Sequence, residues 1–330
     1  MKTISNHIQI PAYYSKLFDM YFGRKSFAVF DIETTGLSPS NSKVILTGIL
    51  TVHRDGQGLV QQFFADQNDD EESVIKATIN ALRDIDYIIT YNGRHFDIPF
   101  MKKRGEKYGL EFPVLYNLDL YLLISGYAPF KEVLPGLKQK NIETYMGIAI
   151  SRDDEISGKE SVDLYNRYME TKRFELEEKI LLHNHDDIIQ LYKILPIIER
   201  LDLHKGLFKR GFPAGRYLIE QISIKNNELQ VKARQLLDAI DYISFPTETA
   251  PYMLMMQSID GSVDLSIPCE STSGNIYLDA RAILRSASLK LDPYPGVVDG
   301  YLILSEKGRI NEMEINIFLK IFFEEERYAI

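Results

Sequence analysis

The sequence predicts an α/β fold, in which a mixed sheet of three antiparallel strands and then parallel strands is flanked by helices. A smaller, mostly β C-terminal domain is expected to follow. Three observations support this prediction. Before residue 130, short apolar runs are first joined by turn-rich segments and then alternate with amphipathic helical patterns. Residues 134–195 are helical in pattern, and beyond residue 200 short alternating runs are separated by DG and SG turns.

The lengths of the connections set the predicted strand directions. Strands joined by a few turn residues are antiparallel neighbours, whereas a strand that follows a helix can run parallel to the first strand. The predicted elements are strands at Ser26–Asp31, Lys43–Val52 and Gly58–Ala65, a helix at Glu71–Asp84, a strand at Tyr87–Thr90, a helix at Phe96–Lys107, a strand at Val114–Asn117 and a helix from Asp119. The order βββαβαβα is that of a ribonuclease-H-like fold.

The whole chain divides into four predicted segments. They are an N-terminal helical extension at 1–24, a ribonuclease-H-like domain at 25–200, a basic linker at 201–216 and a mostly β domain at 217–330. The last segment is expected to end in a helix at Asn311–Glu326. In the linker, Phe208 and Phe212 lie among four cations, so one hypothesis is that they stack on a nucleic acid strand. A solvated helix face or a linker is the alternative.

Composition limits the class of protein. At about 150 residues per domain, 330 residues predict two domains. The sequence contains no apolar run of the roughly 18–20 residues that cross a bilayer, and its N-terminus lacks a signal-peptide pattern. The single cysteine, Cys269, excludes an internal disulfide and a cysteine-built zinc site. We therefore expect a cytoplasmic protein with no membrane partner.

The charge balance limits how the protein can bind nucleic acid. A net charge of -9 argues against coating nucleic acid through a broad basic surface. It is compatible with an enzyme that acts on one nucleic acid end, because acidic metal ligands contribute negative charge. A local basic cluster at Lys102, Lys103, Arg104 and Lys107 is either a solvated helix face or a binding patch.

The segment FDIETTGL, Phe30 to Leu37, places two carboxylates at the end of a buried strand. Asp31 and Glu33 are two residues apart, so strand alternation directs both side chains to one face. Two neighbouring anions repel each other, and a divalent cation between them removes this repulsion. The alternative is an acidic strand end followed by an ordinary turn, because the DxE pattern is common.

A second carboxylate segment is TYNGRHFDIPF, which contains Asp97. Asp97 follows a strand and a glycine turn, and it stands at the start of a helix. If this strand lies beside the first strand, Asp97 lies next to Asp31 and Glu33. Asn92 permits the tight turn and offers a polar contact to a ligand. A helix-capping role for Asp97 is the alternative.

The third segment is HNHDDIIQLYKIL, on a long helix predicted at Glu175–Leu195. His183 and Asp187 are four residues apart and share a helix face, so they can approach the same centre. A surface His–Asp pair is the alternative. Asp186 lies about 100° around the helix from Asp187 and is expected to face solvent.

Together, the three segments predict a two-metal site. Asp31, Glu33, Asp97 and Asp187 form an oxygen-rich ligand set that suits two Mg²⁺ or Mn²⁺ ions rather than zinc. Two such ions about 3.5–4 Å apart form the clamp that nucleases use on a phosphodiester. His183 is the candidate general base, since an imidazole with a reference pKa of about 6.5 can accept a proton from water at neutral pH.

On these residues, the chain resembles the DEDD superfamily of 3′–5′ exonucleases. The segments FDIETTGLSP, TYNGRHFDIPF, ISGKESVDLYNRY and LLHNHDDIIQLYKIL are similar to those of YprB-type ribonuclease-H-like proteins of Firmicutes, over about residues 25–197. The resemblance implies a ribonuclease-H-like fold and two metals held by Asp31, Glu33, Asp97 and Asp187. Better-known subfamilies have Tyr four residues before the last Asp, or His five before it. Here His183 takes the Tyr spacing.

The resemblance also implies a substrate and its contacts. The substrate is a single-stranded DNA or RNA 3′ end, whose terminal nucleotide faces the backbone near Thr34 while Leu37 wedges against its base. Two alternatives stay open. One is an endonuclease, because a fold does not fix a function, and the other is a catalytically inactive nucleic-acid-binding module.

Overall fold

The computed structural model describes residues 1–23, 25–149, 153 and 156–325, and it divides into two compact units. The first unit comprises Met1–Asp19 and Gly23–Leu201, and the second comprises Met20–Phe22 and Asp202–Ile330. Apart from short 3₁₀ turns, the elements up to residue 201 are β1 (Lys2–Gln9), α1 (Lys16–Phe22), β2 (Phe27–Thr34), β3 (Val44–Val52), β4 (Gln57–Phe64), α2 (Glu71–Ala81), β5 (Tyr87–Thr90), α3 (Asp97–Glu106), β6 (Tyr116–Asp119), α4 (Leu120–Tyr127), α5 (Gln139–Met146), α6 (Gly158–Thr171) and α7 (Phe174–Lys193).

The first unit contains one mixed six-stranded sheet, in the order β1-β4-β3-β2-β5-β6. Strands β2, β3 and β4 pair antiparallel, whereas β5 and β6 continue from β2 in parallel. This arrangement confirms the predicted fold class. The sheet is covered by helices because its central strands bury apolar side chains on both faces, with Phe30, Ile32 and Val44 among the core residues.

The N-terminal segment differs from the helical extension predicted for 1–24. Residues 16–22 form the expected short helix α1, but Lys2–Gln9 form strand β1, which pairs antiparallel with β4. The sequence of β1 shows only a weak alternation of apolar residues, because the side chains of this strand are exposed or half-buried and need not be apolar. Its conformation depends on the open edge of β4, which a local pattern does not reveal. Arg24, the last residue of the predicted segment, lies outside the described residues.

In its described residues, the second unit is mostly β, with two antiparallel sheets, one long buried helix and two shorter helices. Its elements are α8 (Leu203–Arg210), β7 (Phe212–Ala214), β8 (Tyr217–Lys225), β9 (Glu228–Gln235), β10 (Tyr242–Ser244), β11 (Met253–Met256), β12 (Ser262–Pro268), β13 (Glu270–Thr272), β14 (Asn275–Asp279), α9 (Ala280–Leu284), β15 (Val297–Val298), β16 (Tyr301–Glu306), β17 (Arg309–Ile310) and α10 (Glu312–Glu325). The sheet orders are β10-β11-β12-β9-β8-β7 and β13-β14-β16-β15, with β17 beside β16. Helix α10 corresponds to the predicted C-terminal helix, whose last residue, Glu326, lies outside the described residues. Among the described residues, no helix combines the length and apolar content needed to span a bilayer.

The segment predicted as a basic linker, 201–216, is instead folded into the second unit. It contains α8 and β7, and β7 pairs with β8. Phe208 and Phe212 are only 2% and 0% exposed, so the hypothesis that they stack on a nucleic acid strand is wrong. The segment forms an amphipathic helix, whose apolar residues occupy one face while Lys205 and Lys209 are exposed on the other. The many cations in the sequence led to the prediction of a linker instead.

The predicted basic cluster also contains a structural residue. Arg104 on α3 is buried and forms two hydrogen bonds to Glu71 on α2, Nε to Oε1 at 2.7 Å and Nη2 to Oε2 at 2.5 Å. Burial by itself raises the pKa of Glu71, but the hydrogen bonds from Arg104, Tyr108 and the Val44 amide outweigh it and lower the pKa below its ordinary value. The pair therefore connects α2, α3 and the start of β3.

We predict that Arg104→Met destabilises the protein by about 3–5 kcal/mol, because Glu71 is left as a buried carboxylate without its cation. Urea unfolding at pH 7 measures the change. The control is Lys103→Met, which removes an exposed ion pair with Glu106 and costs less than about 1 kcal/mol. Equal losses in the two variants would contradict the structural role of Arg104.

Candidate metal centre

Strand β2 carries Asp31 and Glu33 to the middle of the sheet. It lies between β3 and β5, and its regular pairing with β3 shifts register between Glu33 and Thr34. Bulges of this kind are frequent beside active sites, where they redirect the strand. Both residues stand near the C-terminal end of β2, where Glu33 is buried and Asp31 is half-buried.

Asp97 reaches the C-terminal end of β2 from the segment that follows the adjacent strand β5. A tight turn follows β5, in which Asn92 has a φ of 66°, and a β-carbon at Gly93 would overlap the Thr90 side chain. Asp97 is the first residue of α3, and its Oδ1 accepts a hydrogen bond of 3.1 Å from the backbone amide of Ile32. Since Ile32 stands between Asp31 and Glu33, the turn places the third carboxylate beside the first two.

Helix α7 supplies the opposite wall of the site. His183 is buried, and its Nε2 lies 3.5 Å from Glu33 Oε1 and 3.6 Å from Asp187 Oδ2. One ligand atom from each of these three residues lies within 4.8 Å of the others. The shared helix face inferred from the i, i+4 spacing is therefore directed at β2 rather than at solvent.

The neighbouring residues on α7 differ from expectation in one respect. Asp186 was predicted to face solvent, but it is only 4% exposed, and this prediction is wrong. Its Oδ2 accepts a hydrogen bond of 2.6 Å from the backbone amide of Asp153, and its Oδ1 lies 3.4 Å from His185 Nδ1. The face of α7 that carries Asp186 thus meets the backbone of Asp153, which is distant in the sequence.

Asp31 and Asp97 have pKa values above the ordinary range. Desolvation raises the pKa of Asp31 well above its usual value, and the negative charges of Asp97, Asp187 and Glu33 raise it further. A hydrogen bond from Asn184 acts in the opposite direction. Asp31 therefore lies among three other carboxylates in a position that disfavours its ionised form.

Asp97 shows the same effect. Desolvation is the main cause that raises its pKa to about 7, and the charges of Asp119 and Glu33 add to it. The backbone amides of Asp97 itself and of Ile32 stabilise the carboxylate and partly oppose the shift. The site thus accumulates negative charge, and a bound cation would relieve it.

The chemistry of the donor atoms fits Mg²⁺ or Mn²⁺. Carboxylate oxygens on β2, α3 and α7 form a hard, oxygen-rich set, and His183 Nε2 lies beside two of them. The residues present therefore fit the divalent cations that the sequence predicts.

The three predicted substrate-binding residues lie in different environments. Thr34 is buried at the end of β2, and its hydroxyl donates a hydrogen bond of 2.8 Å to the Gly36 carbonyl. Leu37 follows in the loop and is 86% exposed. Asn92 lies in the turn after β5, where its backbone amide donates to Asp119 Oδ1 at 2.9 Å.

Two buried polar residues of the site were not predicted. Asp119, at the end of β6, accepts hydrogen bonds from the amides of Asn92, Arg94 and Leu122, so it fixes the turn that precedes Asp97. Its position at the end of a predicted strand could have indicated this role, because β6 lies beside β5, and Asp31 and Glu33 also stand at a strand end. Asn184 donates from Nδ2 to Asp31 Oδ2 at 2.9 Å, and nothing in its local sequence distinguishes it from other helical polar residues.

Sequence comparison relates the chain to known nucleic acid enzymes. A profile of the RNase H superfamily matches residues 28–198, which is more than half of the chain. The uncharacterized protein YprB of Bacillus subtilis is 24% identical over 175 residues, which cover 52% of this chain and 42% of YprB. A PolC-type DNA polymerase III of Ureaplasma parvum is 27% identical over 134 residues, or 34% of this chain and 9% of the polymerase. The chain thus spans less than half the length of these relatives.

Structural comparison matches the chain to solved structures at low identity and low TM-score. The family B DNA polymerase of the archaeon Pyrobaculum calidifontis covers 91% of this chain at 14% identity, with a TM-score of 0.43, and 46% of the polymerase is matched. Exonuclease I of E. coli, solved in complex with a dT13 oligonucleotide, covers 64% of this chain at 11% identity, with a TM-score of 0.38, and 55% of the exonuclease is matched.

We predict that Asp97→Asn stabilises the metal-free protein at pH 8. A carboxyl group with a folded pKa near 7 and an unfolded pKa near 4 binds its proton more tightly when folded, so stability declines as pH rises from about 4 to 7. Asparagine keeps the oxygen that accepts from Ile32 and removes the charge. We expect the free energy of unfolding to rise by about 1–4 kcal/mol, at about 1.4 kcal/mol per pKa unit.

The measurement is thermal unfolding in EDTA at pH 8 and at pH 4, where the difference between Asp97→Asn and the parent protein should disappear. Asp163→Asn, at an exposed position on α6, is the control and should change little at either pH. A lower melting temperature for Asp97→Asn at pH 8 would contradict the electrostatic interpretation.

Proposed function

The chain belongs to the RNase H superfamily, and from that premise we propose that it is a metal-dependent 3′–5′ exonuclease of the DEDD type acting on single-stranded DNA or RNA. The observation that carries the proposal is the convergence of carboxylates from β2, α3 and α7 at one sheet edge. Bound there, two Mg²⁺ or Mn²⁺ ions would activate a water molecule and stabilise the leaving 3′ oxygen.

The proposal gives each carboxylate a ligand role. Asp31, Glu33, Asp97 and Asp187 would hold the cations, which accounts for a cluster in which desolvation and the neighbouring carboxylates raise the pKa of Asp31 and of Asp97. A purely structural cluster would gain nothing from this repulsion. The contrast with Glu71, whose charge is matched by Arg104, supports the functional interpretation.

His183 is proposed as the general base. Its Nε2 lies between Glu33 and Asp187, at the edge of the carboxylate cluster, and it can accept the proton of the attacking water. The water oxygen forms a bond to the terminal phosphorus, and the bond from phosphorus to the 3′ oxygen of the preceding nucleotide breaks. The products are a nucleoside 5′-monophosphate and a chain shortened by one nucleotide.

The substrate contacts are proposed on the loop after β2 and the turn after β5. Leu37 is 86% exposed, so its side chain is available to pack against the terminal base. The backbone near Thr34 is proposed to face the terminal nucleotide, and Asn92 is proposed to offer a polar contact to it. The left-handed conformation of Asn92 is held by Asp119, which keeps this turn fixed without a ligand.

We predict that Asp31→Asn lowers nucleotide release by about 10³-fold or more, which corresponds to about 4 kcal/mol of lost transition-state stabilisation. The assay follows release from matched 3′-labelled single-stranded DNA and RNA oligonucleotides, with Mn²⁺ and with EDTA. Asp163→Asn is the matched control and should retain full activity. Undiminished release by Asp31→Asn would disprove the proposed site.

The same preparation distinguishes an exonuclease from an endonuclease. A circular single-stranded substrate has no 3′ end, so it should stay intact while the linear oligonucleotide is degraded. Cleavage of the circle would assign endonuclease activity to this site. Tight binding of the linear oligonucleotide without turnover in Mn²⁺ would instead indicate an inactive binding module.

We predict that His183→Ala lowers kcat by about 10²–10⁴-fold, as expected for loss of a general base, while the affinity for Mn²⁺ changes only slightly. The affinity is measured by electron paramagnetic resonance of free Mn²⁺, independently of turnover. His185→Ala, two residues further along α7, is the control. If Mn²⁺ binding fell together with kcat, His183 would be a metal ligand rather than a base.

A further inference from the structure

One row of residues across three strands lies directly beneath helix α7. In the register of the sheet, Asp31 on β2 is opposite Gly48 on β3, and Gly48 is opposite Gln62 on β4. The side chain of Asn184 lies over Gly48, where a β-carbon would overlap its amide group. Asn184 therefore occupies the space that glycine leaves, midway between Gln62 and Asp31.

Hydrogen bonds fix the orientation of both side-chain amides in this row. Gln62 Nε2 donates to the Leu181 carbonyl at 2.8 Å and to Asn184 Oδ1 at 2.9 Å. A backbone carbonyl only accepts, so the Gln62 group at this position must be its NH₂. The Asn184 atom that meets it must be the oxygen, and hence Asn184 Nδ2 is the group that donates to Asp31 Oδ2 at 2.9 Å.

Asn184 and Gln62 are shielded from water, so losing one of these hydrogen bonds would leave a buried polar group without a partner. Asn184 is 0% exposed and Gln62 is 2% exposed. Buried amide groups must find partners within the protein, and losing one costs more than an exposed hydrogen bond. The orientation of Asn184 is therefore set by Gln62 and Gly48 and is transmitted to Asp31.

We propose that Asn184 is a positioning residue for the metal centre, which holds Asp31 through Oδ2 and leaves Oδ1 for cation binding. Gln62 fixes the amide of Asn184, and Gly48 provides the space for it. The inference rests on the proposed function, because it assigns Asp31 as a metal ligand. Partners that orient ligands in this way typically affect metal affinity or activity by about 10–100-fold.

The primary test measures Mn²⁺ dissociation constants by electron paramagnetic resonance, without nucleic acid. Asn184→Ala and Gly48→Ala should each weaken Mn²⁺ binding by about 10–100-fold, although neither substitution removes a ligand. The matched control is Gly158→Ala, since a β-carbon at Gly158 meets no described heavy atom within 4 Å, and it should bind like the parent protein. Parental affinity in Asn184→Ala would overturn the proposal.

The double variant Gly48→Ala/Asn184→Ala tests whether the two residues act together. Alanine at 184 removes the side chain that a β-carbon at 48 would displace, so the second substitution should add almost nothing to the first. Because the double variant relieves the overlap, it also controls for misfolding of Gly48→Ala. Additive losses of Mn²⁺ affinity would overturn the role given to Gly48.

Two further readouts separate a positioning role from other failures. At saturating Mn²⁺, Asn184→Ala should recover most of the parental kcat, whereas a residue that acts in the chemical step would not allow recovery. If the parent protein bound no Mn²⁺, the proposed metal site itself would fail. The positioning role of Asn184 would then be tested by crystal structures of the metal-free proteins. An Asp31 carboxylate unchanged by Asn184→Ala would overturn that role, and a reoriented carboxylate would support it.

Discussion

Repulsion among four clustered carboxylates is the constraint that the first unit must overcome. Asp31, Glu33, Asp97 and Asp187 come from three elements. Desolvation raises the pKa of Asp31 well above its ordinary value, and the charges of the other three carboxylates raise it further. A fold holds such groups together only if other interactions are stronger than the repulsion. Here the sheet hydrogen bonds of β2, its parallel pairing with β5 and the packing of α7 supply those interactions.

The same unit contains another buried carboxylate, Glu71, whose pKa is shifted in the opposite direction. Glu71 accepts hydrogen bonds from Arg104, Tyr108 and the Val44 amide, and its pKa is lowered. Its charge is balanced within the protein, so it stabilises the junction of α2 and α3 without a ligand. The difference between a balanced and an unbalanced carboxylate distinguishes a structural group from a candidate metal ligand more clearly than burial alone.

The predictions from sequence failed where a segment's conformation depends on a distant partner. Strand β1 has weak alternation of its own and is fixed by the open edge of β4. The basic segment 201–216 folds as α8 and β7, because its apolar residues bury in the second unit although its cations dominate the sequence. Asp186 is covered by the amide of Asp153, which lies 33 residues away along the chain.

Between residues 26 and 130, the sequence by itself determined the order of strands and helices, the mixed sheet and the elements on which Asp31, Glu33 and Asp97 stand. These follow from local periodicity, since a two-residue spacing on a strand and a four-residue spacing on a helix each fix a shared face. Only the tertiary structure decided that Asp97 bonds to the Ile32 amide, and that Asn184 passes over Gly48 to reach Asp31. The physical reason is that these contacts join residues far apart in the chain, and their geometry is set by strand register and by the space that one missing side chain leaves.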